Sequence, residues 1–166
     1  MLIAILADTH DNARTTRAAI ELVRPRGVGA WLHCGDMCAP AMLDLFAGLP
    51  LWFVFGNNDF DRAGLQAAGA AMGAKCLGAF GDVTLAGKRI ALFHGDDFVR
   101  RQRWVDSGVY DYALSGHTHK RLDGRRGRTR EINPGALHRA AEKTVALLDL
   151  ASDKLEFLTV EAGGSY

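Results

Sequence analysis

Tyr112-Ala113-Leu114-Ser115-Gly116-His117-Thr118-His119 joins a short apolar run to a glycine and two closely spaced histidines. The first four residues read as the last strand of a buried sheet, and Gly116 permits a sharp exit. Two imidazoles two positions apart point the same way from an extended backbone, because a helix would turn them roughly 200° away from each other. His117 and His119 are therefore expected to line one pocket wall. Four residues alone do not separate that from two surface histidines. What decides is whether other strands end in the same way.

Reading outward from this stretch, several do. Leu2 to Ala7 is a continuous apolar run of strand length, as expected when both faces are covered, and it ends in Asp8-Thr9-His10-Asp11-Asn12. Asp11 or Asn12 is placed to cap a helix from about Ala13 to Arg24, stopped by Pro25 and Gly27. A second strand, Ala30 to Cys34, runs into Gly35-Asp36, and Pro40 suits the first turn of a helix reaching about Ala47. The third, Leu51 to Phe55, delivers Gly56-Asn57-Asn58-Asp59, and an Ala- and Gly-rich helix follows from about Arg62 to Met72. The pattern then changes to closely spaced strands. Asp82 to Ala86 and Arg89 to Phe93 read as a hairpin about Gly87-Lys88, ending in His94-Gly95. A helix from about Phe98 to Ser107 leads into the opening strand, after which Leu122-Asp123 and Thr129 to Ile132 flank a turn at Gly124 to Gly127. Asn133-Pro134-Gly135 is a turn, Thr144 to Leu150 and Leu155 to Val160 are strands, and Gly163 to Tyr166 is expected to fray. Strand and helix alternation followed by hairpins implies an α/β architecture of two sheets packed face to face with helices outside.

At 166 residues the chain is long enough for one domain with its own core, and 1–166 is read as that domain. Hydrophobic residues make up 48% and charged residues 23%, and no apolar run approaches the length of a membrane span. The start lacks a basic region and meets Asp8 too soon for a secretory signal, so a cytoplasmic location and no membrane partner are expected. Three cysteines, Cys34, Cys38 and Cys76, have no CxxC spacing and indicate neither a disulfide framework nor a structural zinc site. A net charge of +1 does not announce a nucleic-acid partner, although Arg100 to Arg103 and Lys120 to Arg130 are locally basic.

Asp8 with His10, Asp36, Asn57, His94, and His117 with His119 each stand just after an apolar strand. In open α/β sheets ligands bind beyond the carboxyl ends of the strands, so these side chains are expected to meet. Together they offer two carboxylates, one amide oxygen and four imidazoles without a thiolate, a set suited to Mn²⁺, Zn²⁺, Ni²⁺ or Fe²⁺ rather than Ca²⁺ or Cu⁺. Seven ligands exceed what one catalytic ion with an open position uses, whereas two ions sharing a carboxylate use them fully.

In this order, Asp8-Thr9-His10, Gly35-Asp36, Gly56-Asn57-Asn58-Asp59, His94-Gly95 and Gly116-His117-Thr118-His119 resemble the five signature blocks of the calcineurin-like metallophosphoesterases, in particular their small bacterial and archaeal phosphodiesterase branch without a cap domain. The resemblance runs from Met1 to about Gly135. It implies a four-layer αββα sandwich of two mixed β-sheets flanked by helices. It also implies Asp8, His10 and His119 on one ion, Asn57, His94 and His117 on the other, and Asp36 bridging them. The ions would be divalent, with Mn²⁺ first and Ni²⁺, Zn²⁺ or Fe²⁺ as alternatives. The activity implied is hydrolysis of a small or nucleotide-like phosphodiester by attack of a metal-bridging hydroxide on phosphorus, with Asp36, Asn57, His94 and Asn58 as candidate catalytic residues. Many relatives carry a histidine where this chain has Asn58, and an amide does not act as a general acid near neutral pH. Activated aryl diesters are therefore expected to turn over better than alkyl esters.

Other residues have plainer readings. His33 is expected to be a satisfied buried histidine, and His138 a surface side chain, with a substrate contact as the alternative. Cys34 and Cys38 are expected to pack, Asn12 to cap a helix or touch substrate, and Asp59 to orient a ligand or stabilise its turn. Arg121 to Arg130 are expected to form a solvated hairpin tip, with steering of anionic substrates as the alternative. Competing functions are a phosphomonoesterase or protein phosphatase on the same core, and a binding module like the related retromer subunit, which has lost part of its metal shell. A nucleic-acid binder is disfavoured, and a homo-oligomer is left open.

Overall fold

The computed structural model describes residues 1–161, so the tail expected to fray lies outside the described residues. One sheet has six strands: β1 (Leu2–Leu6), β2 (Ala30–His33), β3 (Leu51–Phe53), β4 (Lys75–Cys76), β10 (Thr144–Asp149) and β11 (Lys154–Thr159). Their spatial order is β11-β10-β1-β2-β3-β4, parallel from β1 to β4 and antiparallel at β1/β10 and β10/β11. The other has five: β5 (Phe80–Leu85), β6 (Lys88–Phe93), β7 (Tyr112–Leu114), β8 (Arg121–Arg126) and β9 (Thr129–Pro134). They run β5-β6-β7-β9-β8, with β6, β7 and β9 parallel and an antiparallel strand at each edge.

Alternation along β1 shows how the layers are built. Ile3 and Ile5 pack with Ile90, Leu92, Leu114 and Ile132 between the sheets, while Ala4 and Leu6 pack outward with Ile20, Val23 and Phe46. The outward face is covered by α1 (Ala13–Val23), a 3-10 helix (Pro40–Phe46) and α2 (Arg62–Ala71). The far face of the second sheet is covered by α3 (Phe98–Asp106), which packs Val105 and Trp104 on Phe93, Ala113 and Tyr110. The result is the expected four-layer sandwich.

Local signals explain most boundaries. The side chain of Asn12 accepts from the N–H of Thr15, so Asn12 and not Asp11 caps α1, and Asp61 and Asp97 do the same for α2 and α3. Three expectations shift. The segment after Pro40 is a 3-10 helix. The β5/β6 turn is Ala86-Gly87, both at positive φ as a two-residue hairpin turn requires, and the β8/β9 turn is Gly127-Arg128. Two-residue β4 escaped sequence reading because it is too short to show periodicity.

Candidate active site

The loops leaving β1, β2 and β3 in one sheet and β6 and β7 in the other meet at the carboxyl ends of their strands. They bring together all the expected ligand residues. Around Asp8, His119 Nε2 lies 3.3 Å from Asp8 Oδ1 and 3.4 Å from His10 Nε2. Around Asp36, His94 Nε2 lies 3.2 Å and His10 Nε2 3.5 Å from Oδ2. His117 stacks edge-on against His94 at 5.1 Å between ring centres, and its Nδ1 is 3.1 Å from Asn57 Oδ1. Asp8, His10 and His119 can hold an ion as one group, and Asp8, Asp36 and His94 as another.

The two histidines of the opening stretch do not share one wall. Their backbones are not extended: φ is +68° at His117 and +57° at His119, and the turn sends one ring toward His94 and the other toward His10. Asp8, His10 and Asp36 also lie at positive φ (+55°, +42° and +59°). Residues other than glycine rarely adopt this region, and when it recurs around one site the surrounding structure is holding strained loops in place.

Neighbouring groups fix each ligand atom. The N–H of His117 donates to Asp8 Oδ2, which turns Oδ1 inward. His94 Nδ1 donates to the carbonyl of Cys34 at 2.9 Å, leaving the Nε2 lone pair facing the site. Asp8 Oδ1 and His94 Nε2 are buried, and among the described residues neither has an aligned hydrogen-bond partner. Buried polar atoms are rarely left this way, and two of them converging on carboxylates and imidazoles fit a bound cation. Asp36 accepts from both the backbone N–H and the side-chain amide of Asn58, at 2.8 and 2.7 Å. Asn58 therefore holds a carboxylate. Asp59, 2% exposed, accepts from the N–H groups of Asp36, Cys38 and Gly56 at 2.9, 2.7 and 2.6 Å, joining the β2 and β3 loops. Gly56 is required at its position, because a Cβ there would lie 2.1 Å from Asp36 Oδ1.

Electrostatics follow from this packing. Burial pushes the Asp8 carboxyl up to about 6, against the pull of His94 and His119. Burial also acts to raise Asp36, but the imidazole of His94 beside it and the Asn58 hydrogen bonds hold it well below the usual carboxylate range. Burial lowers His10, whereas His94 is raised because Asp36 and Asp8 outweigh its burial. His33 is fully buried, bonded to Thr9 and Gly35, and lowered by burial to about 4, a neutral structural histidine as expected. Burial raises the Cys34 thiol and pushes Cys38 up to about 12, with nearby carboxylates adding to both, so neither is a reactive thiolate.

Two expectations are met only in part. His138 is not a surface side chain: it is half-buried, with its ring 5.7 Å from that of His10. Its place after the Asn133-Pro134-Gly135 turn allowed such an approach, as the substrate-contact alternative supposed, without requiring it. The arginines of 121–128 form the expected exposed tip, though paired with carboxylates, and Arg130 is the exception. Arg125 and Arg130 pair with Asp153, Arg126 with Asp106 and Glu131, Arg128 with Asp111, and Arg130 is 9% exposed.

The chain belongs to the calcineurin-like phosphoesterase superfamily: the family model of that domain matches residues 1–153. This family and this fold make it a phosphoesterase. It is 27% identical over 166 residues to the phosphodiesterase MJ0936 of Methanocaldococcus jannaschii, covering 97% of this chain and all of that one. A solved archaeal phosphodiesterase superimposes with a TM-score of 0.90 at 26% identity, over 96% of this chain and 99% of the other. Vps29 of Entamoeba histolytica, solved with Zn²⁺, shares the fold at 19% identity and a TM-score of 0.68, over 97% of this chain and all of that one.

Proposed function

We propose that residues 1–166 act as a single catalytic unit, a phosphodiesterase with two divalent ions. Asp8, His10 and His119 hold one ion, Asn57, His94 and His117 the other, and Asp36 is shared. The observation that carries this reading is the pair of buried atoms without aligned partners, Asp8 Oδ1 and His94 Nε2, set among three imidazoles and a second carboxylate. When bound, the ions supply Lewis-acid activation of water and neutralise charge building on the phosphoryl oxygens. The chain's own part is positional. Asn58 keeps the Asp36 carboxylate ionised and oriented, and the Asp36 N–H that donates to Asp59 anchors its backbone. The hydrogen bond from His94 to Cys34 keeps its lone pair directed inward. Asn58 is engaged with Asp36 and has no proton to give a leaving group, which is why aryl diesters are the preferred substrates. The phosphodiesterase names of its archaeal relatives support this choice of diester over monoester.

The test is metal replacement. Stripped protein restored separately with Mn²⁺, Ni²⁺, Zn²⁺ and Fe²⁺ is expected to hydrolyse bis(4-nitrophenyl) phosphate, with Mn²⁺ among the active ions, and Asp36→Asn to lose about a hundredfold or more. His117→Ala and His119→Ala are expected to weaken different ions in a titration of metal content. Metal-stimulated turnover retained in Asp36→Asn, or loss of the same ion in both histidine variants, would refute the assignment. Ion binding without turnover by wild type on any phosphoester would favour a binding module.

A further inference from the structure

The rim of the site has two unlike sides, divided by the His117-Thr118-His119 turn. Beyond His117 lies a cavity of about 360 Å³ walled by Phe98, Leu122 and Asn133. Its one basic side chain, Arg101, is already paired with Glu131 at 2.6 Å, and Asp96 adds a carboxylate. That side suits an uncharged organic group and disfavours an anion. Beyond His119 lies a cleft of about 480 Å³ lined by Lys120, Arg121 and Arg139, with Glu142 as its only carboxylate. Glu142 is taken up by Arg121 at 2.9 Å. Lys120 and Arg139 are exposed, and among the described residues neither forms an ion pair.

Arg139 is also held in an unusual way. Its φ is +50°, a conformation arginine rarely adopts, and it directly follows His138, whose ring packs against His10. The turn that seats His138 beside the candidate ligands thus delivers Arg139 to the neighbouring cleft. A strained backbone that places an uncompensated guanidinium next to a phosphoester site is the kind of feature retained for binding. Exposed cations are screened within about 8–10 Å at ordinary ionic strength, so they act on an anion seated in the cleft itself.

We propose that the cleft between Lys120 and Arg139 is an anion subsite, and that the substrate is a phosphodiester with one uncharged aromatic substituent and one substituent bearing a further phosphate. This rests on the phosphodiesterase reading of the adjoining centre. Arg139 offers a planar fork of donors to phosphate oxygens, and Lys120 a mobile point charge.

The experiment uses the metal-loaded full chain and two matched esters, thymidine 5′-(4-nitrophenyl phosphate) with and without a 3′-phosphate, followed by 4-nitrophenolate release. Wild type is expected to favour the 3′-phosphorylated ester by about tenfold in kcat/KM, mostly through KM, and to lose that preference at high salt. Lys120→Ala and Arg139→Ala should each reduce the ratio, the double variant should bring it near one, and Arg139→Lys should retain part of it. A ratio of one in wild type, with the unphosphorylated ester turned over, overturns the subsite and leaves the diesterase reading standing. An undiminished ratio in the double variant, with a native circular dichroism spectrum, also overturns it. No turnover of either ester removes both readings.

Discussion

Asp59 accepts three backbone N–H groups, two from the loop that carries Asp36 and one from the loop that carries Asn57. Hydrogen bonds to a buried carboxylate are worth more than neutral ones, and an amide in its place would turn its own N–H groups toward a donor. Asp59→Asn is therefore expected to cost about 2–3 kcal/mol in urea unfolding and to weaken metal binding without touching an ion. An unchanged midpoint and unchanged metal affinity would show that the two loops hold themselves. The seven candidate ligands were legible because each follows an apolar strand. The part of Asp59 was half legible, since residue type and spacing allow a turn stabiliser as readily as a tie between loops. His138 was legible only as an alternative, because its approach to His10 is made by a loop with no repeating pattern.

At the scale of elements, strands that end at the site announce themselves by buried runs, whereas α3 depends on few contacts. Trp104 stacks on Tyr110 at 5.3 Å and meets Phe80 edge-on at 5.6 Å and Phe93 at 6.4 Å, and the buried cluster under α3 is the smallest of the three. Trp104→Ala is expected to destabilise the protein by about 2–4 kcal/mol and to make amides of α3 the first of the helical ones to exchange. Equal exchange in α1 and α3 would contradict that ranking. The helices, the sheet pairing of the hairpins and the two-sheet class were readable from period and turn chemistry. The backbone at His117 and His119 was not, because a period-two pattern predicts extended chain and cannot anticipate a turn held at positive φ by contacts from the loops of Asp8, Asn57 and His94.

For the molecule as a whole, the candidate site spans the sheets: Asp8, His10, Asp36 and Asn57 come from one, and His94, His117 and His119 from the other. Ions bound there would tie the two layers together. At a hundredfold excess over its dissociation constant, a ligand specific to the folded state adds about 2.7 kcal/mol. Adding Mn²⁺ to stripped protein is thus expected to raise Tm by about 5–10 °C, an effect that Asp36→Asn should largely remove. A Tm insensitive to metal would mean that the layers do not depend on the site. At the opposite end of the sandwich, Arg130 of β9 reaches the carbonyl and carboxylate of Asp153, in the turn between β10 and β11, and Tyr112 donates to the same carboxylate. No helix among the described residues is long and apolar enough to cross a membrane.

The second sheet lies, in chain order, between β4 and β10 of the first, and β1 pairs on one side with β2 and on the other with β10, Leu2 opposite Asp149. A ribosome delivers these strands one after another. Until residues 144–149 leave the exit tunnel, the central strand of the first sheet has a bare edge, open to pairing with a neighbouring nascent chain. Slow elongation between β1 and residue 144 would therefore prolong the time that this edge stays bare.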